Sequence, residues 1–219
     1  MPIVLFHQIP GCDLEVGTVY EGGNAGNVRD DPLSRLLPGV GNQGGFRIAG
    51  RPRTEPKFVV LYSSGEDDDW PDHVDRLTNR FIYFGDNKTP GKSVTDTALG
   101  GNALLKASFS CLHSNPRRLG RVPPFFAFRK SATSNSSRSV EFIGLAVPGA
   151  PGLPAAHDLL VVSQTINSRP CLNYLATFTL LSTIIVNRTW LDALSNSGRL
   201  ALKDAPQEWG TWVKELKYT

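Results

Sequence analysis

Apolar runs that glycine or proline cuts off within a few residues are what most limits the folds open to this chain. Gly (21) and Pro (16) make up about a sixth of its 219 residues, and such punctuation favours many strands and tight turns over a helical bundle. Runs rich in β-branched and aromatic residues at 17–20, 57–62, 80–84, 124–130, 139–147, 159–165 and 172–180 read as strands. Several do not alternate strictly, which predicts a curved sheet with one well-buried face. Helices are expected at 31–36, 102–111 and 187–194, the last carrying Trp190, Leu191 and Leu194 at helical spacing. The polar run SATSNSSR, 131–138, reads as an exposed hairpin tip. A single mixed domain over residues 1–219 is the expectation for this length.

Charge and cysteine usage narrow the setting. The formal charge is +3 and the pI about 8.8, too mild an excess to announce a nucleic-acid binder by itself. Cys12, Cys111 and Cys171 lie far apart with no CxxC pair, so neither a disulfide framework nor a zinc site is supported, and a reducing, cytoplasmic location is expected. No apolar run approaches the roughly 20 residues that span a bilayer, so no membrane association is expected.

Hydrolytic machinery is not visible. A metal-dependent PD...(D/E)xK nuclease site needs carboxylates on the metal and a lysine beside the attacking water. Pro71-Asp72 supplies a "PD" with no matching triplet downstream, and Glu55-Pro56-Lys57 lies upstream and contains a proline. His7, His73, His113 and His157 show no ligand spacing, and there is neither a GxSxG elbow nor a P-loop.

A binding site remains, and two stretches offer it. In GEDDDWPDHVD, 65–75, six acidic residues surround Trp70 just after the run FVVLY. In RFIYFGDN, 80–87, Tyr83 precedes Gly85-Asp86-Asn87 at a strand end. Either is readable as an ordinary polar turn, since Asp and Asn commonly serve the backbone there. Together they place two aromatics 13 residues apart on strands joined by a short polar loop, so that a planar ring fits between them above carboxylates. A flipped base needs that arrangement: stacking on both faces, and an acceptor for the exocyclic N4 amine of cytosine. Positive charge must then come from the rim. Arg47, Arg51 and Arg53 are read in one loop, Lys88 and Lys92 in another, and Arg117, Arg118 and Arg121 in a third, where phosphate contacts are usually placed.

The order of these stretches resembles a known family. GVGNQGGFRIAG, FVVLYSSGEDDDWPDHVD, FIYFGDN and GNALL follow one another as in SRA (SET and RING associated) domains, whose corresponding segments surround a flipped 5-methylcytosine. YEGG, DDPLSRLLPGVGNQGGFR, YFGDNKTPG, FIGLAVPGA and NYLATFTLL, over about residues 15–215, resemble the N-terminal recognition domain of AspBHI-type modification-dependent restriction endonucleases. The resemblance implies an α+β fold: a curved, barrel-like β-sheet of SRA type with a few flanking helices. It implies a modified-base pocket of Trp70, Asp72, Tyr83, Gly85 and Asp86. Asp72 is the nearest match for the carboxylate that reads the base edge, with Asp69, Asp75 and Asp86 as alternatives. The loop 41–47 matches the SRA loop that enters the duplex, with Gln43 as the inserted side chain and Asn42 and Arg47 beside it. Ile82, Phe84 and Val94 are the apolar candidates beside a methyl group.

The implied partner is double-stranded DNA carrying modified cytosine, most simply 5-methylcytosine, bound without a cofactor. A divalent metal is expected only with a cleavage domain, and self-association only in a full-length protein. The chain ends in EWGTWVKELKYT without such a domain, which fits a recognition part or a stand-alone reader. Three other readings stay open: recognition of another mark (5-hydroxymethylcytosine, a glucosylated base or a phosphorothioate), a hydrolytic enzyme with metal-dependent cleavage by this chain alone, and a protein-interaction domain that uses the acidic 66–75 turn.

Overall fold

The computed structural model describes residues 1–52, 54–114, 116–197 and 202–219; Arg53 and the side chains of Arg117 and Arg118 lie outside the described residues. The strands are β1 (Ile3–Val4), β2 (Leu14–Glu15), β3 (Val19–Tyr20), β4 (Phe46–Arg51), β5 (Glu55–Ser63), β6 (His73–Asp75), β7 (Arg80–Phe84), β8 (Phe125–Lys130), β9 (Val140–Pro148), β10 (Leu159–Ile166), β11 (Arg169–Leu180) and β12 (Ile185–Val186). The helices are α1 (Leu33–Leu36), α2 (Gly101–Ser114), α3 (Ala155–Asp158), α4 (Arg188–Ser197) and α5 (Gln207–Glu215).

Ten strands form one mixed sheet in the order β4-β5-β8-β9-β11-β7-β6, with β10 on β11 and the β3-β1 pair on β9. The β5–β8 pair is parallel. Parallel neighbours need a long crossover, and this one carries β6, β7 and α2. All nine residues of β9, VEFIGLAVP, are buried, as a near-continuous apolar run at the centre of a covered sheet should be. On β7 the burial alternates, with Phe81 and Tyr83 inward.

The sheet curls without closing. Phe46 on the edge strand β4 meets Tyr83 on β7, their ring centroids 6.2 Å apart, although three other strands and β5 separate them in the sheet. Arg76, after β6, reaches Glu141 on β9 at 3.6 Å. No ladder among the described residues joins β4 to β6, so the sheet expected to be barrel-like is not closed into a barrel. Aromatic packing fills it: Phe125 lies 5.0 Å from Phe178, and Phe109 of α2 lies 5.5 Å from Phe178. Trp190 of α4 joins Phe126 to Trp209 and Trp212 of α5.

Most expected strands form within a residue or three of their expected ends. β4 is a correction, because its residues were read as loop. The glycines that suggested a loop sit at its boundary and at a bulge between Ala49 and Gly50. Gly50 has φ +87, and a Cβ there would lie 2.5 Å from the Glu55 carbonyl oxygen, so the bulge admits only glycine. The tip 131–138 is also less free than expected. Ser136 is buried and donates to the Gly23 carbonyl at 2.7 Å, while Thr133 and Asn135 donate to Glu21.

Candidate functional site

A cleft of about 780 Å³ opens where β7 stops, within the roughly 300–1,000 Å³ typical of ligand sites. Its walls include Asn42, Gln43, Tyr62, Trp70, Asp72, Tyr83, Phe84, Gly85 and Asp86, and its rim carries Lys88, Lys130 and Arg138. Chain segments far apart in sequence therefore converge on the strand end that RFIYFGDN marks.

The turn after β7 is held by three buried asparagines. Asn102 Oδ1 accepts the Asp86 N–H at 2.9 Å, and its Nδ2 donates to Val94 O at 2.6 Å and to Asn173 Oδ1 at 3.0 Å. Asn173 in turn donates to Gly85 O at 3.0 Å, and Asn87 donates to Leu172 O at 2.8 Å. The backbone approaches these amides so closely that a Cβ on Gly85 would lie 1.7 Å from Asn102 Oδ1.

Asp86 faces the start of α2. Its two oxygens accept the N–H groups of Gly101 at 2.9 Å and Asn102 at 2.8 Å. A helix start leaves such donors without intrahelical partners, and a carboxylate there is favoured by the helix dipole. Asp86 thus caps a helix while lining the cleft, a role that the short spacing from Tyr83 did not reveal.

Asp72 lies one residue before β6, opposite the end of β7. Its Oδ1 accepts the Phe84 N–H at 2.9 Å. Burial pushes its carboxyl up to about 6, against the lowering effect of hydrogen bonds from Phe84 and Ser63. Asp69 and Asp75 differ from it: Asp75 turns to Thr78 and Leu77 in an exposed turn, which lowers its pKa, and Asp69 is absent from the cleft lining.

Both expected aromatics line the cleft, and both are packed. Trp70 is 3% exposed and tilts against Phe84, with centroids 5.4 Å apart. Tyr83 is 4% exposed and contacts Phe46 and Phe81. Burial, followed by the nearby Asp72 and Asp86 charges, raises the Tyr83 phenol well above its usual range. Of the apolar candidates, Phe84 lines the cleft and Ile82 and Val94 do not.

The expected basic residues separate. Arg47 sits on β4 rather than in a loop and is 6% exposed. Its guanidinium pairs with Asp31 at 2.9 Å and donates to Gly41 O and Gly44 O, clamping both ends of the exposed Asn42-Gln43 turn. Lys88 stands at the cleft mouth. Lys92 is exposed outside the lining, and Arg51 lies at the far end of β4, with Arg121 beside a second, apolar groove. Lys130 and Arg138 were missed; they bracket the polar tip 131–138, and their positions follow from the β8–β9 hairpin. Among the described residues no group of three or more His, Cys, Asp or Glu could hold a metal ion, and no helix is long and apolar enough to cross a membrane.

The mixed α+β sheet with few helices is shared with SRA-like structural neighbours. The family described as "Restriction endonuclease AspBHI N-terminal" matches residues 14–219, and the chain belongs to it. Among solved structures, the DNA recognition domain of the cytosine modification-dependent restriction endonuclease LpnPI is 42% identical, with a TM-score of 0.92, over 100% of this chain and 95% of that one. The DNA modification-dependent restriction endonuclease AspBHI is 35% identical, with a TM-score of 0.88, over 99% and 97% of the two chains. The MspJI restriction endonuclease in complex with a 27-mer oligonucleotide shares the fold at 22% identity and a TM-score of 0.68, over 93% of this chain and 52% of that one. A comparison with curated proteins gave no match.

Proposed function

We propose that this domain recognises modified cytosine, 5-methylcytosine in the first instance, in duplex DNA by flipping the base into the cleft, as the specificity domain of a modification-dependent restriction endonuclease. The observation that carries the reading is Asp72, a half-buried carboxylate on the cleft wall at the end of β7 whose carboxyl is pushed up to about 6 by partial desolvation. Carboxylates repel phosphates, so one inside a DNA-binding cleft is suited to a base. The LpnPI relative, described as a DNA recognition domain, and AspBHI, described as a DNA modification-dependent restriction endonuclease, support the same reading.

In this mechanism Trp70 and Tyr83 shift from their packed positions to take the faces of the base, and Asp72 accepts its N4–H. The Asn42-Gln43 turn, clamped by Arg47, fills the gap left in the duplex. Lys88, Lys130 and Arg138 contact the flanking phosphates. Extrusion costs a few kcal/mol, offset by stacking and edge hydrogen bonds, whereas a buried methyl group adds only about 0.8 kcal/mol. Selectivity for the mark therefore depends on the fit of the pocket as much as on methyl burial.

A fluorescent base analogue placed beside the modified cytosine tests the flipping. Wild-type protein is expected to raise its emission on a modified duplex, and Tyr83→Ala to remove that rise while the protein stays folded. Unchanged emission with bound wild-type protein would exclude extrusion.

The Asp72 carboxyl gives a pH signature. A donor from the base favours the ionised form, so binding lowers its pKa from the free value of about 6. Affinity for modified duplex is then expected to be flat above pH 7 and to fall by up to about tenfold per unit below pH 6. Titrations from pH 5 to 8 check this, and a fall on the alkaline side would contradict it. Chelation of divalent metal should leave the preference for modified duplex unchanged, as binding titrations with and without EDTA would show.

A further inference from the structure

We propose that Glu66 and Asp67 form an anionic clasp across the cleft mouth, holding Lys130 and Lys88 from phosphate until a base is inserted, and thereby set discrimination against unmodified DNA. The inference rests on the reading above and assigns a role to Glu66 and Asp67, two residues of the acidic turn to which that reading gives no contact with the base.

The turn follows β5 and reaches both sides of the mouth. Glu66 pairs with Lys130 at the end of β8, and Asp67 pairs with Lys88 beyond the end of β7. Both lysines line the cleft, so a single turn ties down two of its rim cations. Asp67 has a second attachment: its other oxygen accepts the Trp70 N–H at 3.1 Å. One carboxylate therefore connects a rim cation to the backbone of the wall tryptophan.

Two states of the mouth follow. When duplex rests on the rim without inserting a base, the clasp stays in place. Its lysines are then neutralised, and Glu66 and Asp67 face the phosphates with like charge. A base entering beside Trp70 parts the turn, and the lysines transfer to the flanking phosphates. Exposed ion pairs are individually weak, so phosphate can replace the carboxylates once the turn has moved. The two cations consequently contribute in the inserted complex and little before it.

Salt dependence separates these states, because each phosphate neutralised on B-DNA adds about 0.9 to the slope of log K against log salt. The double variant Glu66→Gln/Asp67→Asn keeps a carbonyl acceptor for the Trp70 N–H and removes both charges. It and the wild type are titrated between about 50 and 200 mM salt against one duplex carrying either cytosine or 5-methylcytosine. The variant is expected to bind the cytosine duplex about tenfold tighter at the low-salt end, with a slope steeper by about 1.8. The 5-methylcytosine slope should change by less than half as much, so the ratio of affinities shrinks. As the complementary test, Lys88→Gln/Lys130→Gln should flatten the 5-methylcytosine slope by about 1.8. Equal gains on both duplexes, or no change on either, would overturn the clasp while leaving the pocket in place. Wild-type protein that binds both duplexes alike would instead overturn the modified-base reading.

Discussion

Asp72→Asn is expected to abolish the preference for modified duplex while raising the melting temperature of the free protein. The stability part follows from the carboxyl's pKa, about 6 in the folded protein against the ordinary 3.8. Between those values the folded state holds more proton than the unfolded one, so stability falls as pH rises through the window and stays low above it. The full shift corresponds to about 3 kcal/mol at most at pH 8. Asparagine carries no charge and keeps a carbonyl for the Phe84 N–H, so a gain of about 1–2 kcal/mol is expected, or about 2–8 °C for a chain of this size. Below about pH 3 the gain should vanish, because Asp72 is then largely neutral in both states.

The functional part follows from the same hydrogen bond. The Phe84 N–H orients the amide with its oxygen inward, leaving Nδ2 where the second carboxylate oxygen stood. A donor would then face the donor N4 amine of the base. Losing a charge-assisted hydrogen bond and gaining that opposition should cost about 2–3 kcal/mol, some 30- to 150-fold in affinity for modified duplex. Thermal melts and binding titrations of the one variant check both halves. A variant that is more stable and still discriminates would remove Asp72 from the base edge.

Gly85→Ala should have the largest effect on stability. The new methyl group lies 1.7 Å from Asn102 Oδ1 and 2.8 Å from Asn173 Oδ1, so the amide network must move. Asn102 and Asn173 are fully buried, which leaves displaced partners without water. Each orphaned buried group costs about 1–3 kcal/mol, and several are affected, so a loss of about 3–5 kcal/mol is expected. Adding Asn102→Ala removes the closest approach and leaves that to Asn173 Oδ1, and the double variant should be less destabilised than the sum of the single ones. Strict additivity in denaturant melts would show that the amide network is not what requires glycine at this position.

Local patterns carried much of the architecture. β7 has the boundaries that its aromatic run implied, because an arginine opens that run and Gly-Asp-Asn closes it. β4 was hidden by glycines whose purpose, a bulge and a close backbone approach, is set by its partner strand. α5 was not foreseen, although Trp209, Trp212 and Val213 share the helical spacing that marked α4; both tryptophans are fully buried, Trp209 against Trp190 of α4. The site divides in the same way. Trp70, Asp72 and Tyr83 stood out as an acidic-aromatic cluster and do line one cleft. The helix-capping role of Asp86 and the loop-clamping role of Arg47 depend on partners 15 and 16 residues away in sequence, which spacing alone does not identify. Lys130 and Arg138 reach the rim only because the β8–β9 hairpin brings them there.

The most direct test of the modified-base reading is a salt-controlled titration of wild-type protein against one duplex, prepared with cytosine or 5-methylcytosine at a single position. Selective binding of the methylated duplex, lost in Asp72→Asn, is the expected result. Equal affinity for the two duplexes, or selectivity that survives loss of the Asp72 charge, would contradict recognition of the modified base in this cleft.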